Sequence, residues 1–109
     1  MTLWEERAAR NEALFRDVNE EIRDIDRRFG GAGASEFVCE CADDGCIERI
    51  HVPRETYAAV RSEPTRFIVA PGHENVELEK VVERHDRFFV VEKFGTAGRI
   101  AERFDTGGD

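Results

Sequence analysis

The sequence predicts an α+β fold: a long N-terminal helix followed by a small β-sheet with a short helix. Three observations predict it. Residues 3–29 repeat apolar side chains in alternating steps of four and three, the period of one helix face. Short runs rich in Val, Ile and Phe follow, bounded by Gly, Pro and Asp, as strands are. The chain's only three cysteines, Cys39, Cys41 and Cys46, fall within one eight-residue run. The 109 residues suit a single domain.

The helix carries Trp4, Ala8, Asn11, Phe15, Val18, Ile22, Ile25 and Phe29 along one heptad seam, with Asn11 as its polar member. A helix over residues 3–29 spans about 40 Å at ~1.5 Å per residue. The remaining ~80 residues make a body roughly 25–30 Å across. The seam therefore packs on its own domain or overhangs it and meets a second chain. Residues 30–35, Gly-Gly-Ala-Gly-Ala-Ser, end the helix and read as a hinge. The body runs over 36–105, and 106–109 read as a tail.

Within the body, 36–38 form a short strand into the cysteine run, and 47–52 alternate as a second strand. Pro53 suits the first turn of a helix over 54–62, and Pro64 stops it. Residues 66–70 read as a buried strand, ended by the turn dipeptide Pro71-Gly72. The stretch 76–94 fits a helix through Leu78, Val81, Val82 and His85. It also fits a hairpin with His85-Asp86 as a two-residue loop. The β-branched and aromatic run 88–91 favours the hairpin. Ile100, Ala101 and Phe104 suit one helical turn against the body.

Charge narrows the function. The formal net charge is -8 and the pI about 4.9, a surface that a phosphate backbone repels, so no nucleic-acid partner is expected. No apolar run approaches the ~20 residues of a membrane span. The first residues lack the apolar core and cleavage site of a signal peptide. An odd, crowded set of cysteines is not a secreted disulfide framework, so a cytoplasmic chain with reduced thiols is expected.

Cys39 and Cys41, one residue apart, can point to the same side of an extended segment. The Asp43-Asp44-Gly45 turn can bring Cys46 to the same point. Three thiolates plus one histidine make a closed tetrahedral set for zinc. Reduced cysteines without metal are the alternative, since cysteine also serves as a small buried apolar residue. Flanking Glu and Asp fit that poorly. His73 follows a tight turn at a strand end and can aim back at the loop, so it ranks first as fourth ligand. His51 lies near Cys46 in sequence but faces solvent if Ile50 and Val52 face the core. His85 sits at the expected hairpin tip. Asp43, Asp44 and Glu48 are weaker substitutes.

These residues carry a resemblance. Phe37-Val38-Cys39-Glu40-Cys41, Cys46, Tyr57-Ala58-Ala59-Val60-Arg61 and Val69-Ala70-Pro71-Gly72-His73-Glu74 resemble a group of small, uncharacterised, mostly actinobacterial proteins. Arg10–Arg16 and Val81–Asp86 extend the likeness over most of the chain. The resemblance implies a shared architecture and no particular reaction. It implies His73 as the matching histidine and departs at His51.

No Ser/His/Asp signature, phosphate-binding glycine loop or dinucleotide fingerprint occurs. Cys39-Glu40-Cys41 echoes the first half of a zinc deaminase motif without its Pro-Cys-x-x-Cys, and alternation turns Glu40 away from the two thiols. Iron–sulfur clusters usually take four cysteines. The expected function is a non-catalytic zinc-binding interaction or regulatory module that pairs through its helix with itself, as a homodimer, or with another protein. A thiol-based redox or metal sensor is the alternative, with Cys41 and Cys46 forming a disulfide and leaving Cys39. A small zinc hydrolase or deaminase is the third reading.

Overall fold

The computed structural model describes residues 3–29, 33–41, 43, 45, 46 and 48–103, with side chains apart from those of 3–9, 11, 12, 96 and 97. The architecture is α+β, as expected. Helix α1 runs Leu3–Arg28, with Arg27 and Arg28 in its last turn, where cations favour the helix dipole. The longest dimension of the molecule is 43 Å against 27 and 23 Å for the others. Helix α1 alone accounts for most of it, at about 39 Å.

Among the described residues the strands form two antiparallel sheets rather than one. Strands β1 (Ala34–Val38) and β2 (Arg49–Pro53) pair with Phe37 opposite Ile50 and Glu36 opposite His51. Phe37, Ile50 and Val52 turn inward and are buried, which leaves His51 facing out. Strand β1 begins earlier than the composition suggests. Ala34 and Ser35, assigned to the hinge, pair with Pro53 and Val52, and the Ser35 hydroxyl accepts from Arg54 at 3.1 Å. Helix α2 (Arg54–Arg61) follows with Pro53 at its N-cap. The second sheet has the order β3-β5-β4, from β3 (Arg66–Val69), β4 (Glu79–Arg84) and β5 (Phe89–Lys93). The two sheets meet where the Glu40 N–H donates to the Ile68 carbonyl at 2.8 Å.

The stretch 76–94 is a hairpin, but its turn lies one residue later than expected. The His85 N–H donates to the Phe88 carbonyl at 2.9 Å, so Asp86-Arg87 forms the tip. His85 and Phe88 stack across it with ring centroids 4.3 Å apart. Val82 bulges out of register between Val81 and Glu83. Lys93 and Glu79, both buried, form an ion pair inside this hairpin. Helix α3 (Gly95–Arg103) is longer than the single turn expected, and it packs on β5 and α1. Phe104 and the tail 106–109 lie outside the described residues.

The largest departure concerns the face that α1 turns to the body. The seam predicts Phe15, Val18, Ile22, Ile25 and Phe29 as one apolar contact line. Ile22 does pack on the core. Val18, Ile25 and Phe29 are 37%, 51% and 79% exposed, and Leu14 58%, whereas Arg16 and Asn19 are 3% and 0% exposed. The reason lies in polar contacts. The Arg16 guanidinium donates to the carbonyls of Pro64 at 2.8 Å, Glu63 at 2.7 Å and Arg66, and lies over the Phe67 ring at 4.3 Å. These carbonyls follow α2, where the chain turns into β3. Arg61 also binds Glu20 at 2.8 Å, so α1 grips α2 through charge. Trp4, Ala8 and Asn11 have side chains outside the described set.

Candidate metal centre

Strand β1 ends at Val38, and the extended chain continues through Cys39, Glu40 and Cys41. Alternation along it sends Cys39 and Cys41 to one side and Glu40 to the other. The Cys39 N–H donates to the Glu48 carbonyl at 3.0 Å, which brings the two ends of the cysteine loop together. Asp43 shapes the loop twice. Its side chain accepts from the Gly45 N–H at 2.9 Å, and its carbonyl accepts from the Cys46 N–H at 3.1 Å.

The fourth group comes from the end of β3. The turn Ala70-Pro71-Gly72-His73 closes when the His73 N–H donates to the Ala70 carbonyl at 2.9 Å. Gly72 has φ +89°, the value that the third position of a type II turn needs and that glycine adopts without strain. The turn places the His73 Nδ1 3.7 Å from the Cys39 sulfur and 3.5 Å from the Cys46 sulfur. The donor atoms of Cys39, Cys41, Cys46 and His73 all lie within 4.8 Å of one another. Tetrahedral coordination with bonds of about 2.3 Å to sulfur and 2.0 Å to nitrogen sets neighbouring donors roughly 3.5–3.8 Å apart. The cluster is therefore of the size and composition that can hold a metal ion.

The surroundings suit thiolates. The Ala70 N–H donates to the Cys39 sulfur at 3.1 Å. Without metal the three thiols share protons unequally. The hydrogen bond that Cys39 makes to Cys41 raises Cys39, with burial adding to it. The same bond lowers Cys41 to about 5 against the cost of burial, with His73 and the Asp43 main chain assisting. Burial raises Cys46. A cation at the centre would stabilise all three as thiolates.

The other sequence candidates lie elsewhere. His51 pairs with Glu36 at 2.9 Å on the exposed side of the first sheet. His85 pairs with Glu83 at 2.9 Å beside the hairpin tip. Glu48 contributes its carbonyl to the loop and is exposed, Asp43 serves the turn, and Asp44 lies outside the described residues.

Sequence reasoning missed the partner structure on the far side of the loop. Glu40 is fully buried. One carboxylate oxygen accepts from the Ile68 N–H at 3.0 Å. The other accepts from the Asn19 amide at 2.8 Å and the Tyr57 hydroxyl at 2.9 Å. Burial raises its pKa, opposed by the Arg16 charge and these hydrogen bonds. Burial also raises Tyr57, and the Glu40 charge adds to that. Alternation is the only sequence signal that set Glu40 apart from the thiols; nothing local showed what it would meet. The chain matches no family model, no curated protein and no solved structure.

Proposed function

We propose that this protein is a zinc-binding, non-catalytic interaction module whose first helix joins it to a second copy of itself. The observation that carries the metal reading is the convergence of four donor atoms, three sulfur and one nitrogen, within 4.8 Å. Zinc favours thiolate and imidazole and accepts four protein ligands in a closed structural site. The main-chain donor on Cys39 is an outer partner of the kind that holds such ligands in place. Thiolate ligands persist in a reducing compartment, which favours the cytoplasm.

Two further features support the rest of the reading. Glu40, the acidic residue between two of the ligands, faces away from the cluster with both oxygens engaged, so it is not placed as a general acid or base for a metal-bound water. Leu14, Val18, Ile25 and Phe29 leave an exposed apolar stripe along α1. Burying a large apolar side chain is worth about 1.5–3 kcal/mol, which favours a partner on that face. Protein purified without added metal should contain close to one zinc per chain by elemental analysis, and chelation should lower its melting temperature, because metal binding contributes folding energy. Metal-free protein as isolated, or equal melting with and without chelator, would refute the structural-zinc reading.

A further inference from the structure

We infer that the cluster is also a hydroperoxide-sensitive switch: oxidation joins Cys41 to Cys46 and ejects the metal. This rests on the metal-site reading above and concerns how that site is regulated.

Among the described residues, the cluster is enclosed on one side and meets a cleft on the other. Cys39 is held from within. Its sulfur accepts the Ala70 N–H, its own N–H is bound to Glu48, and its neighbour Glu40 is locked among Asn19, Tyr57 and Ile68. On the other side a cleft of about 270 Å³ is lined by Cys41, Asp43, Gly72 and His73. A small peroxide needs little more room than a water molecule, whose share of liquid volume is about 30 Å³. Cys46 is partly exposed, unlike the buried Cys39 and Cys41. Cys41 and Cys46 are the two ends of one short loop. Their sulfurs lie within 4.8 Å, so a bond of about 2.05 Å needs a movement of no more than ~3 Å.

The chemistry balances with a hydroperoxide as oxidant. The Cys41 thiolate, which lines the cleft, attacks the hydroxyl oxygen of the hydroperoxide. The O–O bond breaks, and the departing oxygen takes a proton to leave as an alcohol, or as water from hydrogen peroxide. Cys41 is then a sulfenic acid. The Cys46 thiolate attacks its sulfur, the S–S bond forms and the S–O bond breaks. Hydroxide leaves and is protonated to water. Two thiols have lost two electrons and the peroxide has gained them. Only Cys39 and His73 remain as donors, too few for a closed site.

The experiment uses the full chain as purified, with its metal content measured first. About one equivalent of hydrogen peroxide is added with a zinc indicator present, and free thiols are then alkylated and located by tandem mass spectrometry. The expected result is zinc release with Cys39 as the only alkylated cysteine, reversed by dithiothreitol and zinc. Cleavage after Glu40 and after Asp43 separates the three cysteines for this assignment. Zinc retained under a severalfold excess of peroxide overturns the inference, and so does an alkylated Cys41 or Cys46 after release. Protein that contains no zinc at the outset refutes the metal reading itself; protein that holds zinc and resists peroxide refutes only the switch.

Discussion

Asn19 donates its side-chain amide to the buried carboxylate of Glu40 at 2.8 Å, tying the middle of α1 to the residue between two metal-site cysteines. The same side chain brackets Val38, donating to its carbonyl at 2.9 Å and accepting its N–H at 2.8 Å. The helix therefore holds the entry to the cysteine loop by its main chain. Loss of Asn19 removes one of the three hydrogen bonds on the buried Glu40 carboxyl and takes this partner from the Val38 carbonyl and N–H at once. Asn19→Ala should cost about 2–4 kcal/mol of stability, since each buried group left without a partner costs ~1–3 kcal/mol. Urea denaturation measures it, with exposed Asp17→Ala, off the apolar stripe, as a control expected within about 0.5 kcal/mol of wild type. A near-neutral Asn19→Ala would show that the network does not brace the loop.

His73→Ala should weaken metal binding far more than His51→Ala or His85→Ala. Only His73 places a ring nitrogen among the sulfurs, whereas the other two pair with surface carboxylates. Competition with a chelating indicator gives the three affinities. Metal loss in His51→Ala alone would reverse the assignment.

Gly72 isolates the contribution of the turn. A Cβ there meets nothing within 4 Å, yet its φ is +89°. Gly72→Ala should therefore destabilise by backbone strain alone, about 1–2 kcal/mol, and displace His73 from the cluster. Gly72→Asn should cost less, because asparagine tolerates this region better. Thermal melts with and without chelator test both. If the two variants melt equally with chelator present, the strain argument is wrong.

The exposed stripe on α1 predicts self-association that depends on Val18 and Ile25. Val18→Asp/Ile25→Asp should give a folded monomer by light scattering, with wild-type helicity. Ile22→Asp should instead destabilise the fold, because Ile22 packs on the core. A monodisperse wild-type monomer at high micromolar concentration would remove the dimer and leave α1 as a brace within one chain.

Much of this was legible locally. The steps of four and three mark α1, β-branched runs mark the strands, and Pro71-Gly72 marks the turn that aims His73. Alternation over Cys39-Glu40-Cys41 places the thiols together, and alternation over 50–52 turns His51 outward. These features depend on neighbours in sequence, where period and φ preference act directly. The hairpin tip was legible only to within one residue, because His85-Asp86 and Asp86-Arg87 are both weak turn signals. The stacking of His85 on Phe88 goes with the second.

By itself the sequence determined a long helix, a strand-rich body and a thiol cluster with a histidine presented by a tight turn. Tertiary structure decided which helix face is inside, that there are two sheets, and what Glu40 does. The physical reason is the range of the deciding contacts. Arg16 finds its carbonyls 47 to 50 residues away, Asn19 meets Glu40 21 residues away, and Glu40 meets Ile68 28 residues away. A hydrophobic period treats Arg16 and Asn19 as surface residues. They are buried because donors and acceptors far along the chain meet them, and partnering removes most of the cost of taking polar groups out of water. The apolar residues beside them were left outside.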